Sequence, residues 1–367
     1  MKILRLQLEN FMTFNDLNVE WSPNINVISG FNGSGKTTIL KAMYSALKTL
    51  GKAAPNETKG ELERQFVEKI CGVFRPDEMR IGRLASRARG RVKSSVSLDL
   101  SLSGKGRRLG SVAAKFTSGQ QKGAAVERKN FETPPTPFDA VYLPPKEMIS
   151  AFKSFQSLYE EYQIGFEETY YDLVKALARP LKRGKNRSEQ DAVLNEIAGI
   201  LPGGKKATVT RREDAFYLNA PGEGEYEMGL LAEGYRKIAT LYYLVANGAL
   251  NENSVLFWDE PEVNLHPRLI RPTVAALVEL ARHGAQIFVS THNYFVQQEF
   301  NFAAVFPPTE KDKVKIRFYS LYKDDDKTTQ VAEADRLAEL KPNGIMEEFN
   351  EIYSRELDEL DKRADDE

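Results

Sequence analysis

Apolar and polar residues alternate over several short stretches of this chain, and a period of two predicts β-strands. A mainly apolar run at residues 25–28 is typical of a buried strand. The predicted strands of the first half cover residues 3–8, 17–21, 25–28, 95–102, 112–116 and 124–128. We expect the last three of them to pair as a small antiparallel sheet.

Apolar residues spaced three and four apart predict helices over residues 37–50 and 61–73. A proline-rich link at 133–137 follows, and the pattern is then helical from 145 to 201, with a basic break at 182–187. A short hairpin is expected at residues 209–218.

The last part of the chain alternates between helix and strand. The pattern predicts a helix at 234–247, a strand at 255–258, a helix at 267–283 and a strand at 286–290. Such alternation implies a mostly parallel sheet that binds its ligand at the C-terminal ends of the strands.

Composition excludes several classes of protein. With 367 residues, of which 41% are hydrophobic and 28% charged, the chain is long enough to bury a substantial core. No apolar run is long enough to cross a membrane, and the N-terminus lacks the pattern of a signal peptide. Cys71 is the single cysteine, which excludes an internal disulfide. We therefore expect a cytoplasmic protein without a membrane partner, in which Cys71 is a small buried hydrophobe.

The net charge of −1 conceals an asymmetry. Between residues 79 and 122 there are eleven basic residues and one acid, Asp99. This basic run, from Arg80 to Lys122, has three open interpretations: a surface for DNA, a solvated face, or a docking face for an acidic partner. No aromatic residues lie among its arginines between Arg80 and Arg108.

The sharpest chemical motif lies near the N-terminus, between a predicted strand and a predicted helix. It reads Gly30-Phe31-Asn32-Gly33-Ser34-Gly35-Lys36-Thr37-Thr38 and has the spacing of a phosphate loop. Backbone N–H groups of residues 32–38 would bind phosphates at the start of the helix, where the helix dipole favours anions. Lys36 would contact the β- and γ-phosphates, and the Thr37 hydroxyl would bind Mg²⁺. The sequence therefore predicts that the chain binds ATP.

Two later strands end in residues that suit the same site. Val255-Leu256-Phe257-Trp258 is followed by Asp259 and Glu260, and the strand at 286–290 is followed by His292. Asp259 is expected to hold Mg²⁺ through water, and Glu260 to act as the base that polarises the attacking water. His292 is expected to sense the γ-phosphate.

Further motifs resemble ABC-type ATPases. The turn Leu231-Ala232-Glu233-Gly234, which opens a predicted helix, is similar to their signature motif. In that family the signature of one subunit covers the ATP of the other, so the resemblance assigns Ala232, Glu233 and Gly234 to the partner's site. Glu260-Pro261-Glu262-Val263-Asn264-Leu265-His266-Pro267 resembles the D-loop region.

The resemblance covers nearly the whole chain and is to the ATPase heads of the SMC/RecF class, most of all to stand-alone AAA family ATPases related to OLD proteins. Three departures stand out. Ala232 replaces the signature serine, and no glutamine occupies the stretch 142–148 where the Q-loop should be, with Glu147 or Lys146 as substitutes. Residues 150–201 are too few for the long coiled coil of SMC proteins, and the 75 residues after His292 are too few for the TOPRIM nuclease of OLD proteins. The resemblance thus implies ATP turnover that is slow or activated by a partner.

The fold expected from this resemblance is α/β: a P-loop NTPase of ABC-ATPase type. It has a mostly parallel core sheet, an antiparallel β subdomain and a helical insertion. We expect one domain over residues 1–367, with an N-terminal lobe at 1–145, the helical insertion at 146–205, a C-terminal lobe at 206–330 and a helical tail at 331–367.

Two functions follow as expectations. The first is an ATPase whose ATP-bound homodimer, or higher oligomer, controls a separately encoded nuclease or toxin, as in anti-phage systems. The alternative is a DNA-binding repair ATPase similar to RecF, which would use the basic run. A transporter subunit is disfavoured, because the signature serine, the Q-loop glutamine and a D-loop aspartate are all absent.

Overall fold

Three sheets organise the part of the chain that the computed structural model describes, namely residues 1–52, 58–87, 90–101, 109–130, 138–162, 164–182, 190–324 and 327–365. The central sheet has six strands in the order β14-β13-β3-β12-β11-β7. These strands are β3 (Ile25–Gly30), β7 (Ala140–Leu143), β11 (Val255–Asp259), β12 (Gln286–Ser290), β13 (Ile316–Lys323) and β14 (Thr329–Ala334). All its neighbours pair in parallel except β13 and β14, which are antiparallel.

A second sheet is antiparallel and has five strands in the order β2-β1-β4-β5-β6. They are β1 (Lys2–Phe11), β2 (Phe14–Glu20), β4 (Lys93–Ser101), β5 (Leu109–Thr117) and β6 (Ala125–Lys129). The third sheet, also antiparallel, consists of β8 (Thr208–Arg212), β9 (Ala215–Ala220) and β10 (Gly224–Glu227).

The α-helices flank the sheets. They are α1 (Lys36–Lys52), α2 (Lys59–Phe74), α3 (Phe152–Tyr162), α4 (Glu168–Leu177), α5 (Asp191–Ala198), α6 (Glu233–Ala246), α7 (Pro267–Arg282), α8 (Tyr294–Val305) and α9 (Gly344–Asp365). Local signals explain several of their starts. Thr58 and Glu61 form a capping box at α2, and His266 caps α7 ahead of Pro267. Among the described helices, none combines the length and apolar character that a bilayer crossing demands.

The central sheet separates two hydrophobic cores. On one face, Ile28, Phe257 and Phe288 pack with α1, α2 and the antiparallel sheet. On the other face, Trp258 and Val289 pack with helices α4 to α8. Because both faces are covered, the central strands are apolar on both sides, which is why they are nearly continuous hydrophobic runs in the sequence.

The structure confirms the predicted strands, helices and parallel alternation. It also corrects the sequence interpretation in two places. The expected helical tail at 331–367 begins inside strand β14, and its helix starts only at Gly344. The hairpin at 209–218 has a third strand, β10. The proline-rich link at 133–137 and most of the basic break at 182–187 lie outside the described residues.

Candidate functional site

The phosphate loop joins β3 to α1, as the sequence predicts. Gly30, Gly33 and Gly35 have φ angles of +145°, +76° and +101°, which L side chains rarely adopt. At Gly35 an added Cβ would lie 2.4 Å from the Phe14 ring, so this glycine is required by packing as well. A Cβ added at Gly33 would have no neighbouring atom within 4 Å among the described residues, and Asn32 and Gly33 are exposed. The loop is therefore packed against the protein at Gly35 and open at Asn32 and Gly33.

Lys36 lies inside this loop. Its side chain is buried, and Nζ donates to the carbonyl oxygens of Gly30 at 2.8 Å and Phe31 at 2.9 Å. Burial lowers the pKa of Lys36 to about 8, although Glu260 and Asp259 raise it through their charge. Thr38 is half-buried behind it, and the buried Ser34 Oγ has no hydrogen-bond partner among the described residues.

Thr37 and Asp259 meet at the C-terminal end of the central sheet. The Thr37 hydroxyl donates to the Asp259 carboxylate, with Oγ1 at 3.0 Å from Oδ2 and 3.2 Å from Oδ1. Asp259 ends β11 and is 3% exposed. Two other hydroxyls also donate to this carboxylate, from Tyr142 at 3.0 Å and from Ser290. The structure thus brings together the two residues for which the sequence predicts Mg²⁺ binding.

Glu260 and His292 lie side by side next to that pair. His292 Nε2 is 3.4 Å from Glu260 Oε1, and the two side chains are 34% and 32% exposed. Glu260 has a left-handed backbone with φ of +51°, and its N–H donates to the Ser290 carbonyl oxygen at 3.0 Å. Burial and the charge of Lys36 lower the pKa of His292. The imidazole is therefore neutral near pH 7, beside a carboxylate that water can reach.

Glu262 fixes the backbone that carries His292. Its Oε1 accepts hydrogen bonds from Thr291 Oγ1 at 2.7 Å and from the His292 N–H at 2.9 Å. Burial raises the pKa of Glu262, and its Oε2 has no hydrogen-bond partner among the described residues. The sequence analysis placed Glu262 in the D-loop region but gave it no contact with the strand that ends at residue 290.

The signature segment lies at the start of α6. Ala232 is exposed at the N-cap of α6, where no side chain caps the helix, and Glu233 is half-buried. Gly234 is buried. A Cβ added there would lie 2.9 Å from the Asn264 carbonyl oxygen and 3.2 Å from the Leu265 side chain. Gly234 therefore packs on the D-loop of its own chain. Of the three predicted signature residues, Ala232 and Glu233 alone form the accessible edge.

Two basic residues of α6, which the sequence could not distinguish, have definite partners. Arg236 Nε lies 3.0 Å from Glu147 Oε1, and Lys237 Nζ donates to the Val263 carbonyl oxygen at 2.7 Å. Glu147 also accepts from the Ser150 hydroxyl at 2.5 Å. The Glu147 carboxylate, expected to substitute for the Q-loop glutamine, is thus engaged with the signature helix.

Two family models of AAA domains match this chain. A family model described as an AAA domain matches residues 5–198, which is more than half of the chain. A second AAA domain model, whose description associates it with AbiEii toxins and type IV toxin–antitoxin systems, matches residues 122–296.

Among curated relatives, the RecF replication and repair protein of Lactococcus lactis subsp. cremoris (strain SK11) is 31% identical over 107 residues, covering 29% of this chain and 26% of RecF. RecF of Bacillus cytotoxicus is 34% identical over 108 residues, covering 29% of this chain and 25% of that RecF. The match thus spans about a quarter of the length of these relatives.

Solved SMC heads share the fold. An SMC head bound to the C-terminal winged-helix domain of ScpA superposes with a TM-score of 0.56 and 12% identity, covering 91% of this chain and 98% of that one. A second SMC head, from Pyrococcus furiosus, has an extended coiled coil and is bound to the C-terminal domain of ScpA. It superposes with a TM-score of 0.54 and 12% identity, covering 96% of this chain and 99% of that one. The fold is therefore that of a P-loop ATPase head of the SMC class.

Proposed function

This chain belongs to the AAA domain family of ATPases, and from that premise we propose that two copies of it close on ATP to form a switch for a separately encoded effector protein. The observation that carries the proposal is the convergence of Lys36, Thr37, Asp259, Glu260 and His292 at one edge of the central sheet.

The residues at this edge fit ATP with Mg²⁺, the cofactors of such ATPases. The loop is open at Gly33, and the buried Ser34 hydroxyl and the Lys36 ammonium are suitable donors to phosphate oxygens. Thr37 and Asp259 would hold Mg²⁺, which prefers oxygen ligands and commonly uses one or two protein groups beside phosphate and water. When bound, Mg²⁺ would neutralise the charge on the phosphates.

Glu260 is the best candidate for the base. Its exposed carboxylate can accept a proton from a water molecule, and its left-handed backbone holds the carboxylate beside His292. The neutral His292 imidazole can donate a hydrogen bond to a phosphate oxygen. The remaining contribution would come from the second copy, whose exposed Ala232 and half-buried Glu233 lie at the N-terminus of α6.

Control of an effector is supported by the second AAA model, whose description concerns toxin systems. An anti-phage role with a nuclease or toxin partner is our preferred setting. A replaced signature serine at Ala232 would suit an ATPase that turns over slowly until its partner or trigger is present.

A RecF-like role in DNA binding is the second candidate, and the RecF relatives together with the basic run favour it. Arg87, Lys93, Lys115 and Lys122 are exposed and form no ion pair with another described residue, whereas Arg83 pairs with Asp77. Arg89, Lys105, Arg107 and Arg108 lie outside the described residues.

ATP turnover with and without duplex DNA, at low and moderate salt, separates the two functions. Wild-type turnover that Lys36→Ala abolishes would support the ATPase site. Strong stimulation by DNA that fades with salt, and that is lost in Arg87→Ala/Lys93→Ala/Lys115→Ala, would favour the DNA-binding role. Turnover that DNA leaves unchanged at either salt would favour control by a protein partner.

A further inference from the structure

The Asp259 carboxylate is held from three sides by hydroxyl groups. Thr37 donates from α1, Ser290 from the end of the neighbouring strand β12, and Tyr142 from β7 on the other side, where its Oη lies 3.0 Å from Oδ2. Asp259, Tyr142 and Ser290 are all at most 3% exposed. A buried carboxylate depends on such donors, because water does not solvate it.

The parallel register explains how Tyr142 reaches a residue two positions further along the sheet. Tyr142 lies level with Phe257 on β11, and side chains two apart on a strand share one face. The Tyr142 ring stacks on Phe257, with centroids 6.4 Å apart, and packs edge-on against Tyr44 at 5.4 Å. These contacts direct the hydroxyl along the sheet towards Asp259.

We propose that Tyr142 is a positioning residue for Mg²⁺: its hydroxyl fixes the orientation of the Asp259 carboxylate from which the ion is bound. The inference rests on the proposed ATPase site. Thr37 is itself expected to bind the ion, so its hydroxyl serves two partners, whereas Tyr142 and Ser290 contact Asp259 from the protein side. Groups that orient a metal ligand commonly contribute 10- to 100-fold to metal affinity.

Tyr44 provides a matched control. It is another fully buried tyrosine in the same aromatic cluster, but its hydroxyl donates to Asp172 at 2.6 Å and not to Asp259. Tyr142→Phe and Tyr44→Phe therefore each remove one buried hydroxyl and leave a carboxylate with one donor fewer. Both are expected to lower the thermal stability of the ligand-free protein, so stability alone does not distinguish the roles.

The experiment is a titration with a fluorescent ATP analogue, first in EDTA and then at a fixed analogue concentration with increasing Mg²⁺. We expect Tyr142→Phe to bind the analogue in EDTA as the wild type does, and to need about 10- to 100-fold more Mg²⁺ to reach the midpoint of the metal response. Tyr44→Phe should keep the wild-type midpoint.

A wild-type midpoint in Tyr142→Phe would overturn the proposal, and so would equal shifts in both variants, which would indicate general loosening of the cluster. Failure of the ATPase site itself gives a different result. In that case wild-type protein would not bind the analogue, or Lys36→Ala would bind it as well as wild type does.

Discussion

At the scale of single residues, burial shifts the pKa values of several groups of the site. Lys36 and His292 both have lowered pKa values because they are partly removed from water, and Glu262 has a raised one for the same reason. Glu260, by contrast, lies at the solvent-accessible side of the pair with His292. The arrangement leaves one accessible carboxylate beside a neutral imidazole, which is what activation of a water molecule requires.

Cys71 offers a test of burial that does not involve the site. The side chain is 1% exposed, and burial raises the pKa of its thiol to about 11. At pH 8 only about one thiol in a thousand would then be ionised, and the thiolate is the reactive form. We expect no measurable labelling of the native protein by a thiol reagent within an hour, and complete labelling of one thiol in guanidinium chloride.

Native labelling at the rate of a small-molecule thiol would contradict this burial. Repeating the assay at pH 9 tests whether the labelling rate rises with pH. A higher pH raises the thiolate fraction about tenfold, so any residual native labelling should become faster by about that factor.

The motif residues could be predicted from the sequence, but their supporting partners could not. Lys36 and Thr37 belong to one local pattern with a known backbone requirement. Tyr142 lies 117 positions from Asp259, and nothing local marks its hydroxyl as a partner of that carboxylate. Such contacts depend on which strands become neighbours, and this is a property of the whole sheet.

At the scale of elements, the start of α6 is weakly capped. The first N–H groups of a helix have no intrahelical partner, and Ala232 at the N-cap of α6 supplies no side-chain hydrogen bond to them. Ala232→Ser supplies an N-cap hydroxyl and should raise the free energy of unfolding by about 1 kcal/mol in urea denaturation. It also restores the hydroxyl of the family signature, so we expect ATP turnover to increase.

A matched variant separates this effect from packing. Gly234→Ala would place a Cβ 2.9 Å from the Asn264 carbonyl oxygen, so it should lower stability although alanine is the better helix former. A rise in the stability of Ala232→Ser without any rise in turnover would argue against a signature role for this turn.

A buried ion cluster joins the helical insertion to the core. Lys69 on α2 is 4% exposed and pairs with Asp172 at 2.8 Å and with Glu168, both on α4. Although burial lowers the pKa of Lys69, the charges of Asp172 and Glu168 raise it above its usual value. Lys69→Met should cost about 3–5 kcal/mol of unfolding free energy, because it leaves buried carboxylates without their cation.

Lys59→Met, at an exposed position at the start of the same helix, is the control for Lys69→Met and should change stability by less than about 0.5 kcal/mol. Urea denaturation of both variants measures the difference. Similar small losses of unfolding free energy in the two variants would mean that the buried cluster stabilises the protein no more than exposed charges do.

The strands that the sequence interpretation missed share a physical cause. In β13, Phe318, Tyr319, Ser320 and Leu321 are consecutive buried residues, so the strand lacks a regular alternation of buried and exposed positions. The strand character of β13 depends on pairing with β3, which lies almost 300 residues earlier, and β14 in turn pairs with β13. The central strands β11 and β12 were predictable because their apolar runs are short and end in polar site residues.

At the scale of the whole molecule, the site lies at one edge of the central sheet. β3 and α1 bring Lys36 and Thr37, whereas β11 and β12 bring Asp259, Glu260 and His292. Through Glu262, the D-loop region is bonded to the backbone of His292, and through Lys237 it is bonded to the signature helix. A second copy that contacts Ala232 would therefore contact a helix that is hydrogen-bonded, through residues 262–263, to the segment next to Glu260 and His292.

The last prediction concerns the dimer. Glu260→Gln removes the proposed base but leaves Lys36, Thr37 and Asp259 in place, so it should bind ATP without hydrolysing it and accumulate as a closed dimer. Light scattering during size exclusion should show the mass of two chains with ATP and Mg²⁺, and a lower mass without nucleotide. Lys36→Ala/Glu260→Gln is the control and should show no response to ATP. Normal hydrolysis by Glu260→Gln would remove Glu260 from its role. If the variant bound ATP but its mass did not change, the two-copy site built on Ala232 would be wrong. The start of α6 in one chain would then not cover the ATP bound by another chain.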